Sequence, residues 1–296
     1  MGIVMNMSLT NELLKDSLRK QLNEIENFLE ADFISFSGQI IAGSEFQFLR
    51  IIEDLVKDTN KKDTLYIMLT TPGGCAETVE RYVNIIRHHY KIVNFIIPDY
   101  AYSAGTIFCM SGDDIYMDYY SALGPIDPQV QNRDGNPVAA LGYLDKVNEL
   151  VDKAKNNELT QAEFLILKDI DLAELRSYEQ AKELTIDLLK NWLVQYKFKN
   201  WKVHRTDQIK KGKPVTPEEK KERAEDIAGK LSDNNFWKSH ARPINIHSLK
   251  QMLHLEIQDY SNNVPLKEKI RNYYFLLNDY LRNNGYRMYI QTRRLI

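Results

Sequence analysis

Short apolar runs alternate with helix-length segments through the first half of the chain. Thr64–Thr70 and residues 91–98 are apolar and rich in branched or aromatic side chains, and Asp32–Gly38 alternates apolar and polar positions. Residues 46–56 and 75–89 lie between these runs and have apolar residues at helical spacing. Parallel strands need crossovers of this length, and such crossovers are nearly always right-handed. The pattern therefore predicts an α/β fold with a parallel sheet and crossover helices.

Two turns rich in small residues fall where successive predicted strands end. They are Thr71-Pro72-Gly73-Gly74 and Tyr102-Ser103-Ala104-Gly105. Reaction sites in parallel sheets lie beyond the carboxyl ends of the strands, so the two turns form our candidate site. A serine on a strand-to-helix turn exposes its hydroxyl, and the amides of Ala104 and Gly74 can then hold an oxyanion. Taken singly, each turn is also consistent with a simple helix cap or chain reversal.

About residues 33–140 resemble the Clp-protease/crotonase fold, specifically the serine dehydrogenase-type proteinase branch of the signal-peptide peptidase A family. The resemblance rests on Pro72-Gly73-Gly74, on Ser103-Ala104-Gly105-Thr106, and on residues 112–117 and 123–129. It implies a Clp/crotonase-like ββα-superhelix with a parallel sheet and with helical additions at both ends. In that fold a Pro-Gly-Gly loop supplies an oxyanion amide, and the nucleophilic serine follows one crossover later.

The resemblance also implies roles for individual residues. Ser103 corresponds to the nucleophile, and the amides of Gly74 and Ala104 correspond to the oxyanion donors. An extended peptide would add as a strand beside Gly73, with Pro72 and Pro125 as further substrate contacts. The expected activity is that of a serine peptidase that cleaves peptide bonds.

The general base is not fixed by the pattern. Clp peptidases carry their histidine where this chain has residues 124–129, and none is present there. Signal-peptide peptidases use a lysine about fifty residues after the serine, and Lys153 and Lys155 lie in that range, although these positions are typical of a solvated helix face. Serine dehydrogenase-type proteinases tend to place a histidine just before a proline-isoleucine step, and His240 resembles that position. Imidazole suits a base near neutral pH, so His240 is our first candidate, and Asp127 either orients the base or stabilises its own turn.

Length and composition set wider bounds. A chain of 296 residues can form one large domain with additions or two small domains. We expect an amphipathic helix over residues 1–30, a protease core with a helical arm over 31–232, and a small helical and strand extension over 233–296. No apolar run approaches the length of about 18 residues that a membrane helix needs, and no signal peptide is evident, so we expect a cytoplasmic protein without a membrane anchor. Two cysteines form no zinc pattern, and we expect no metal and no cofactor.

The second half of the chain reads as helical. Residues 137–152 are predicted to open a helical arm, and Ser177 is predicted to begin a further helix. Thr160 with Glu163, and Thr216 with Glu219, have the spacing of capping boxes. Residues 248–255 are predicted to form another helix.

Charge is distributed unevenly along the chain, with a formal net charge of -2. Residues 197–223 and 267–296 are basic, but aromatic residues stand among them, and this composition fits solvated loops and subunit contacts better than nucleic acid. The resemblance implies a homo-oligomer that acts on a protein or peptide substrate, and it leaves room for an ATPase or regulatory partner.

Two other functions stay open at this point. The first is an inactive oligomeric scaffold on the same fold, which the missing histidine would explain. The second is acyl-CoA chemistry of the crotonase kind, which also uses paired oxyanion amides but does not need a serine at position 103.

Overall fold

The structure is a computed structural model that describes residues 2–131, 135, 137–205 and 208–295. Its helices are α1 (Gly2–Leu29), α2 (Glu45–Val56), α3 (Ala76–His89), α4 (Ala104–Met110), α5 (Ala140–Lys155), α6 (Gln161–Lys168), α7 (Leu172–Trp192), α8 (Pro217–Leu231), α9 (Asn234–Trp237), α10 (Ile246–Gln251) and α11 (Val264–Asn284), with a π-helical turn over Leu193–Lys197. Its strands are β1 (Asp32–Gly38), β2 (Thr64–Thr70), β3 (Ile92–Ile97), β4 (Tyr100–Ala101), β5 (Asp114–Met117), β6 (Ala122–Leu123), β7 (Gln129–Gln131), β8 (Pro137–Ala139), β9 (Ile244–Asn245), β10 (Gln258–Asp259) and β11 (Met288–Gln291).

The main sheet is mostly parallel, as the sequence predicts. Its strand order is β10-β5-β3-β2-β1-β11; the first five strands run parallel, and β11 pairs antiparallel with β1. The alternation within each strand sends successive side chains to opposite faces. Ile34, Ile67 and Phe95 pack against α2 and α3, whereas Phe33 and Met68 pack against α1 and α11. Burial of both faces explains why the central strands read as continuous apolar runs.

The segment after α8 completes this sheet. It supplies both outer strands, β10 and β11, and it supplies α11, which lies beside α1 on one face. It also supplies β9, which pairs antiparallel with β6 in a second small sheet of order β4-β6-β9. Because β4 and β6 flank the candidate serine turn, this pairing brings residues from the far end of the chain to the candidate site.

Two helix predictions need correction. Residues 137–139 form β8, which pairs with β7 in a hairpin, and helix α5 begins only at Ala140. Ser177 lies inside α7, because the helix starts after Asp171, whose carboxylate accepts hydrogen bonds from the amides of Ala173 and Glu174. The Ser177 hydroxyl instead donates to the carbonyl oxygen of Glu174, a bond that satisfies a serine within a helix.

Both predicted capping boxes are confirmed. The side chain of Thr160 accepts from the Glu163 amide, and that of Thr216 accepts from the Glu219 amide, with the reciprocal bond formed in each case. The predicted helix over residues 248–255 is shorter and begins earlier, over Ile246–Gln251, because Asn245 caps it by accepting from the Ser248 amide. Among the described residues, no helix is both long and apolar enough to cross a membrane.

The first basic stretch is largely neutralised within the chain itself. Lys197 is almost fully buried, with its amine 3.3 Å from an Asp114 carboxylate oxygen, and Lys199 pairs with Asp113. Lys210 lies 2.7 Å from Glu219. These internal pairs leave less free positive charge than the sequence alone indicates.

Candidate active site

Ser103 sits on the turn between β4 and α4 in a conformation that few serines adopt. Its φ is +51° and its ψ is -117°, outside the regions that residues with a side chain normally occupy. Such conformations are costly and concentrate at functional sites, where surrounding contacts hold them. Ser103 is 6% exposed, and its side chain forms no cap hydrogen bond to the helix it precedes. Its hydroxyl is therefore not used by the helix cap that a serine at this position usually makes.

The Pro-Gly-Gly loop is bound directly to this turn. The amide of Thr71 donates to the carbonyl oxygen of Tyr100 at 3.0 Å, and the amide of Tyr102 donates to that of Thr71 at 2.9 Å. The Gly73 amide donates to the Thr71 hydroxyl at 3.0 Å. A Cβ on Gly73 would lie 2.9 Å from the Cβ of Ser103, so the two turns touch at a point where only glycine fits. The loop and the serine turn thus form one rigid unit.

Two amides beside Ser103 are open. The amide of Ile40 donates to the Gly73 carbonyl oxygen, and the Ile40 carbonyl oxygen accepts from the Cys75 amide. Gly74 lies between these two bonded residues, so its own amide and carbonyl point away from Ile40. Within the part of the chain that the structure describes, the amides of Gly74 and Ala104 have no hydrogen-bond acceptor. Ser103 lies in one of these turns and against the other, so open amides of both turns are available beside it, as an oxyanion hole uses them.

The Gly-Pro-Ile-Asp loop is held against the same unit. The Gly124 amide donates to the Thr106 hydroxyl at 3.1 Å, and that hydroxyl donates to the Ala101 carbonyl oxygen at 2.8 Å. Asp127 is fully buried, and its Oδ1 accepts from the amide of Leu141, in the first turn of α5, at 3.0 Å. Asp127 therefore has a structural role as a cap of a neighbouring helix, whatever else it does.

The pairing of β9 with β6 brings His240 next to Asp127. The Nδ1 atom of His240 lies 3.9 Å from Oδ2 of Asp127, and the imidazole is 34% exposed. That Nδ1 atom is buried and makes no hydrogen bond within the described residues. The Ser103 hydroxyl donates to the backbone carbonyl of Asp127 at 3.5 Å, the outer limit of a hydrogen bond. Ser103 and His240 thus each lie close to Asp127, the serine at its backbone carbonyl and the histidine at its carboxylate, and neither distance is that of a short hydrogen bond.

Other predicted site residues lie elsewhere or have other roles. Lys155 is at the far end of α5, about 20 Å along the helix from the turn that Asp127 caps, and its exposed amine pairs with Asp152 at 2.8 Å. The structure does not bring Lys155 to Ser103. Pro72 is exposed on the loop, whereas Pro125 is buried. We therefore keep Pro72 but not the Pro125 ring among the surfaces open to a substrate.

Several residues that organise the site were not singled out from the sequence. Thr71 and Thr106 bind the three loops together, as described above. Tyr100 and Tyr102 stack with ring centroids 5.0 Å apart on the strand that leads to Ser103. Burial, together with the charge of Asp99, raises the pKa of both phenols, so they remain neutral. A threonine directly before Pro-Gly-Gly and the Tyr-Ala-Tyr-Ser run of residues 100–103 are the sequence signals that could have identified them.

The cysteine that follows the Pro-Gly-Gly loop contacts an acidic side chain. Cys75, the residue after Gly74, has its thiol 3.0 Å from a Glu77 carboxylate oxygen. Burial raises the pKa of the Cys75 thiol, which keeps it protonated. Among the described residues, no group of three histidine, cysteine or acidic side chains is placed to hold a metal ion.

Comparison with protein families identifies the fold family. A model of the ClpP-like SDH-type serine proteinase family matches residues 39–222. The chain belongs to this family. The match includes Gly74, Ser103 and Asp127, whereas His240 lies beyond it. The mixed α/β architecture with a mostly parallel sheet is that of ClpP-like proteins, as the resemblance predicts.

The curated relatives are themselves uncharacterised. One protein of Methanocaldococcus jannaschii is 27% identical over 201 residues, which are 68% of this chain and 53% of that protein. Another from the same organism is 28% identical over 182 residues, 61% of this chain and 58% of that protein. The chain thus spans little more than half the length of these relatives.

Two solved structures of one protease are also similar. The membrane-bound stomatin-specific protease 1510-N, as a serine-to-alanine mutant, has a TM-score of 0.45 and 15% identity, covering 79% of this chain and 81% of that chain. A lysine-to-alanine mutant in complex with a substrate peptide has a TM-score of 0.31 and 26% identity, covering 46% of this chain and 65% of that chain.

Proposed function

We propose that this chain is a serine peptidase that forms an acyl-enzyme on Ser103. One observation carries the proposal: Ser103 is held at a positive φ between two open amides, those of Gly74 and Ala104. A helix cap or a simple turn needs neither feature. An acyl-transfer site uses open amides of this kind, because the oxygen of the attacked carbonyl becomes negative in the transition state and needs hydrogen-bond donors. Membership of a ClpP-like serine proteinase family supports the same reaction.

His240 is the base that this site supports best. In the proposed reaction its imidazole takes the Ser103 proton as the hydroxyl attacks, and later gives that proton to the leaving amine. Asp127 would hold the imidazole in the required orientation through Nδ1. A direct bond between these two side chains requires the loop that carries His240 to move closer by about 1 Å, a change that substrate binding commonly produces.

The loop geometry supports an extended peptide as substrate. Ile40 occupies one side of the Gly73-Gly74-Cys75 segment, and the amide and carbonyl of Gly74 face the opposite side. A peptide strand can pair with those groups, and its scissile carbonyl then comes beside Ser103. Pro72 on this loop is exposed and Tyr102, beside Ser103, is half-buried, so both offer surface to such a peptide.

Covalent labelling tests the proposed nucleophile. We expect one adduct on the wild type after exposure to a fluorophosphonate, measured by intact mass, and none on Ser103→Ala. Ser232→Ala, which changes another buried serine outside the site, is the matched control and should be labelled like the wild type. An adduct on the Ser103→Ala protein would show that another residue is the nucleophile. A folded wild type that stays unlabelled would favour the inactive scaffold, and acyl-CoA turnover that survives Ser103→Ala would favour crotonase-like chemistry.

Two substitutions of Asp127 separate its two roles. Asp127→Asn keeps an oxygen for the Leu141 amide but removes the charge that faces His240. We expect the rate of fluorophosphonate labelling to fall by about 10²–10⁴-fold, with little loss of stability. Asp127→Ala should lose the same activity and also about 1 kcal/mol of stability, because the α5 cap is gone. Wild-type labelling of Asp127→Asn would restrict this residue to its capping role.

A further inference from the structure

The segment between β1 and α2, residues 39–44, lies directly behind the Pro-Gly-Gly loop. Its Ile40 is hydrogen-bonded to both Gly73 and Cys75. A Cβ on Gly74 would overlap the Ile40 carbonyl oxygen, so the two backbones are in close contact. The segment therefore occupies the side of Gly74 opposite to its open amide, and the position of the segment sets the direction of that amide. We call residues 39–44 the backing segment.

The backing segment is held mainly at its two ends. At the first end, the Gln39 amide donates to the Arg287 carbonyl oxygen at 3.0 Å. Ile40 is buried, but residues 41–43 are exposed. At the second end, Ser44 is again buried. Because few contacts fix this segment, the loss of one end contact should loosen it.

Tyr82, on α3, fixes the second end. Its hydroxyl lies 2.6 Å from the hydroxyl oxygen of Ser44. The Ser44 hydroxyl has one hydrogen and donates it to the Ile41 carbonyl oxygen, so Tyr82 is the donor of this bond. Burial and the nearby Glu45 carboxylate raise the pKa of Tyr82, so the phenol keeps its proton. The bond thus joins the backing segment to the helix that begins two residues after Gly74.

The Tyr82 ring connects the helices that follow the two turns of the candidate site. The ring is fully buried and stacks on Phe48 of α2, with centroids 4.0 Å apart. It also contacts Phe108 of α4 at a centroid distance of 5.9 Å. Helix α4 begins directly after Ser103, and α3 follows the Pro-Gly-Gly loop. Packing of the ring therefore fixes where the Tyr82 hydroxyl lies relative to both turns.

A second bond keeps α2 and α3 together independently of Tyr82. The hydroxyl of Thr78, in the first turn of α3, donates to a carboxylate oxygen of Glu45 at 2.7 Å. Thr78 is fully buried, and Glu45 is the first residue of α2. Removal of the Tyr82 hydroxyl should therefore leave the two helices in place and loosen only the backing segment between β1 and α2.

We propose that the Tyr82 hydroxyl is a positioning group for the oxyanion hole. By holding Ser44, it keeps the backing segment against Gly74, and the Gly74 amide is then directed to the carbonyl oxygen that Ser103 attacks. Tyr82 does not contact the substrate in this role and acts only through the backing segment. The inference rests on the proposed acyl-transfer reaction at Ser103.

Tyr82→Phe tests this role, because it removes the hydroxyl and keeps the packed ring. We expect the maximal rate of fluorophosphonate labelling to fall about tenfold, less than the roughly 10²–10³-fold cost of losing an oxyanion donor, because the amide is displaced rather than removed. The pH profile of labelling should keep the wild-type midpoint, because the base is unchanged. Tyr273→Phe is the matched control. Tyr273 is also fully buried, and its hydroxyl donates to Gln291 at 2.8 Å on the other face of the sheet, so this variant should be labelled like the wild type.

Hydrogen exchange measures the same contact without relying on activity. The amides of Ile40 and Cys75 donate across it, so Tyr82→Phe should raise their exchange rates about tenfold relative to Tyr273→Phe. Ser44→Ala removes the acceptor of the Tyr82 bond and should have the same two effects. Adding Tyr82→Phe to Ser44→Ala should lower the labelling rate no further, because both changes break one bond.

The outcomes separate this inference from the proposed function. If Tyr82→Phe is labelled as fast as Tyr273→Phe, with both folded by circular dichroism, Tyr82 has no positioning role and the proposed nucleophile stands. Slower labelling with unchanged exchange would also overturn the inference, because the effect would not pass through the backing segment. If Tyr82→Phe does not fold, Ser44→Ala decides by the same two measurements. A folded wild type without labelling would overturn the proposed reaction, and the role of Tyr82 with it.

Discussion

Replacing Gly73 by alanine is expected to lower the rate of fluorophosphonate labelling by about 10²–10³-fold, the effect of losing one oxyanion donor. Gly73 has a φ of +108°, where a side chain is strained, and an added Cβ would lie 2.9 Å from the Cβ of Ser103 and 3.3 Å from the amide nitrogen of Ala104. To relieve these contacts the two turns must separate. That movement takes Ser103 and the Ala104 amide, which share one turn, away from the Gly74 amide, so the loss should appear in the acylation rate.

Gly43→Ala is the matched control for this substitution. Gly43 also has a positive φ, +87°, but an added Cβ there would meet nothing within 4 Å. It should lose about 1 kcal/mol of stability from backbone strain and keep its labelling rate. If Gly73→Ala is labelled as fast as Gly43→Ala while both are folded, the oxyanion hole is not where we propose it.

The core of the site could be predicted because its signals are local. A strand end, a Pro-Gly-Gly turn and a serine before a short helix are all visible within residues 64–110, and the structure has each of these elements. The local pattern does not show how the Pro-Gly-Gly loop and the serine turn contact each other. The bonds between Thr71, Tyr100 and Tyr102 join two strands, and they depend on sheet register rather than on either turn.

His240 illustrates what local patterns leave undetermined. Its approach to Asp127 depends on the pairing of Leu123 with Ile244, two residues far apart in sequence. Spacing alone also left Lys155 as an alternative, although His240 was the first candidate, because a helix-face lysine and a buried base look alike in sequence. The structure separates them by giving Lys155 an exposed partner, Asp152, at the opposite end of α5.

In the fold, too, the long buried strands could be predicted from the sequence and the short outer strands could not. Strands β1 and β2 have the predicted bounds, because burial on both faces leaves a long apolar signal. The hairpin of β7 and β8 was missed because each strand has three residues and the sequence there is polar or begins with proline. The outer strands β10 and β11 were also not distinguishable, since short edge strands lack a buried pattern on both faces.

Arg293, two residues after β11, pairs with several acidic side chains inside the protein. Its guanidinium lies 2.9 Å from both Glu26 and Asp32 and 2.8 Å from Asp58. Asp32 is fully buried and also accepts a hydrogen bond from the Tyr90 hydroxyl at 2.8 Å. Replacing Arg293 by methionine keeps much of the volume but leaves two buried carboxylates without their cation. We expect a loss of about 3–5 kcal/mol in the free energy of unfolding, measured by denaturant titration.

The loss should depend on pH in a way that identifies its cause. Burial raises the pKa of Glu26 even with Arg293 in place, and removal of the cation raises that pKa further. A carboxyl whose pKa is raised by folding destabilises the protein as pH increases, so the effect of Arg293→Met should shrink as the pH is lowered from neutral and Glu26 takes up a proton. Arg294→Met is the control, since the adjacent Arg294 makes only an exposed pair with Asp54 and should lose about 0–1 kcal/mol. Equal losses for the two variants, or an Arg293→Met effect that is constant with pH, would mean that Arg293 does not stabilise the protein by neutralising Glu26 and Asp32.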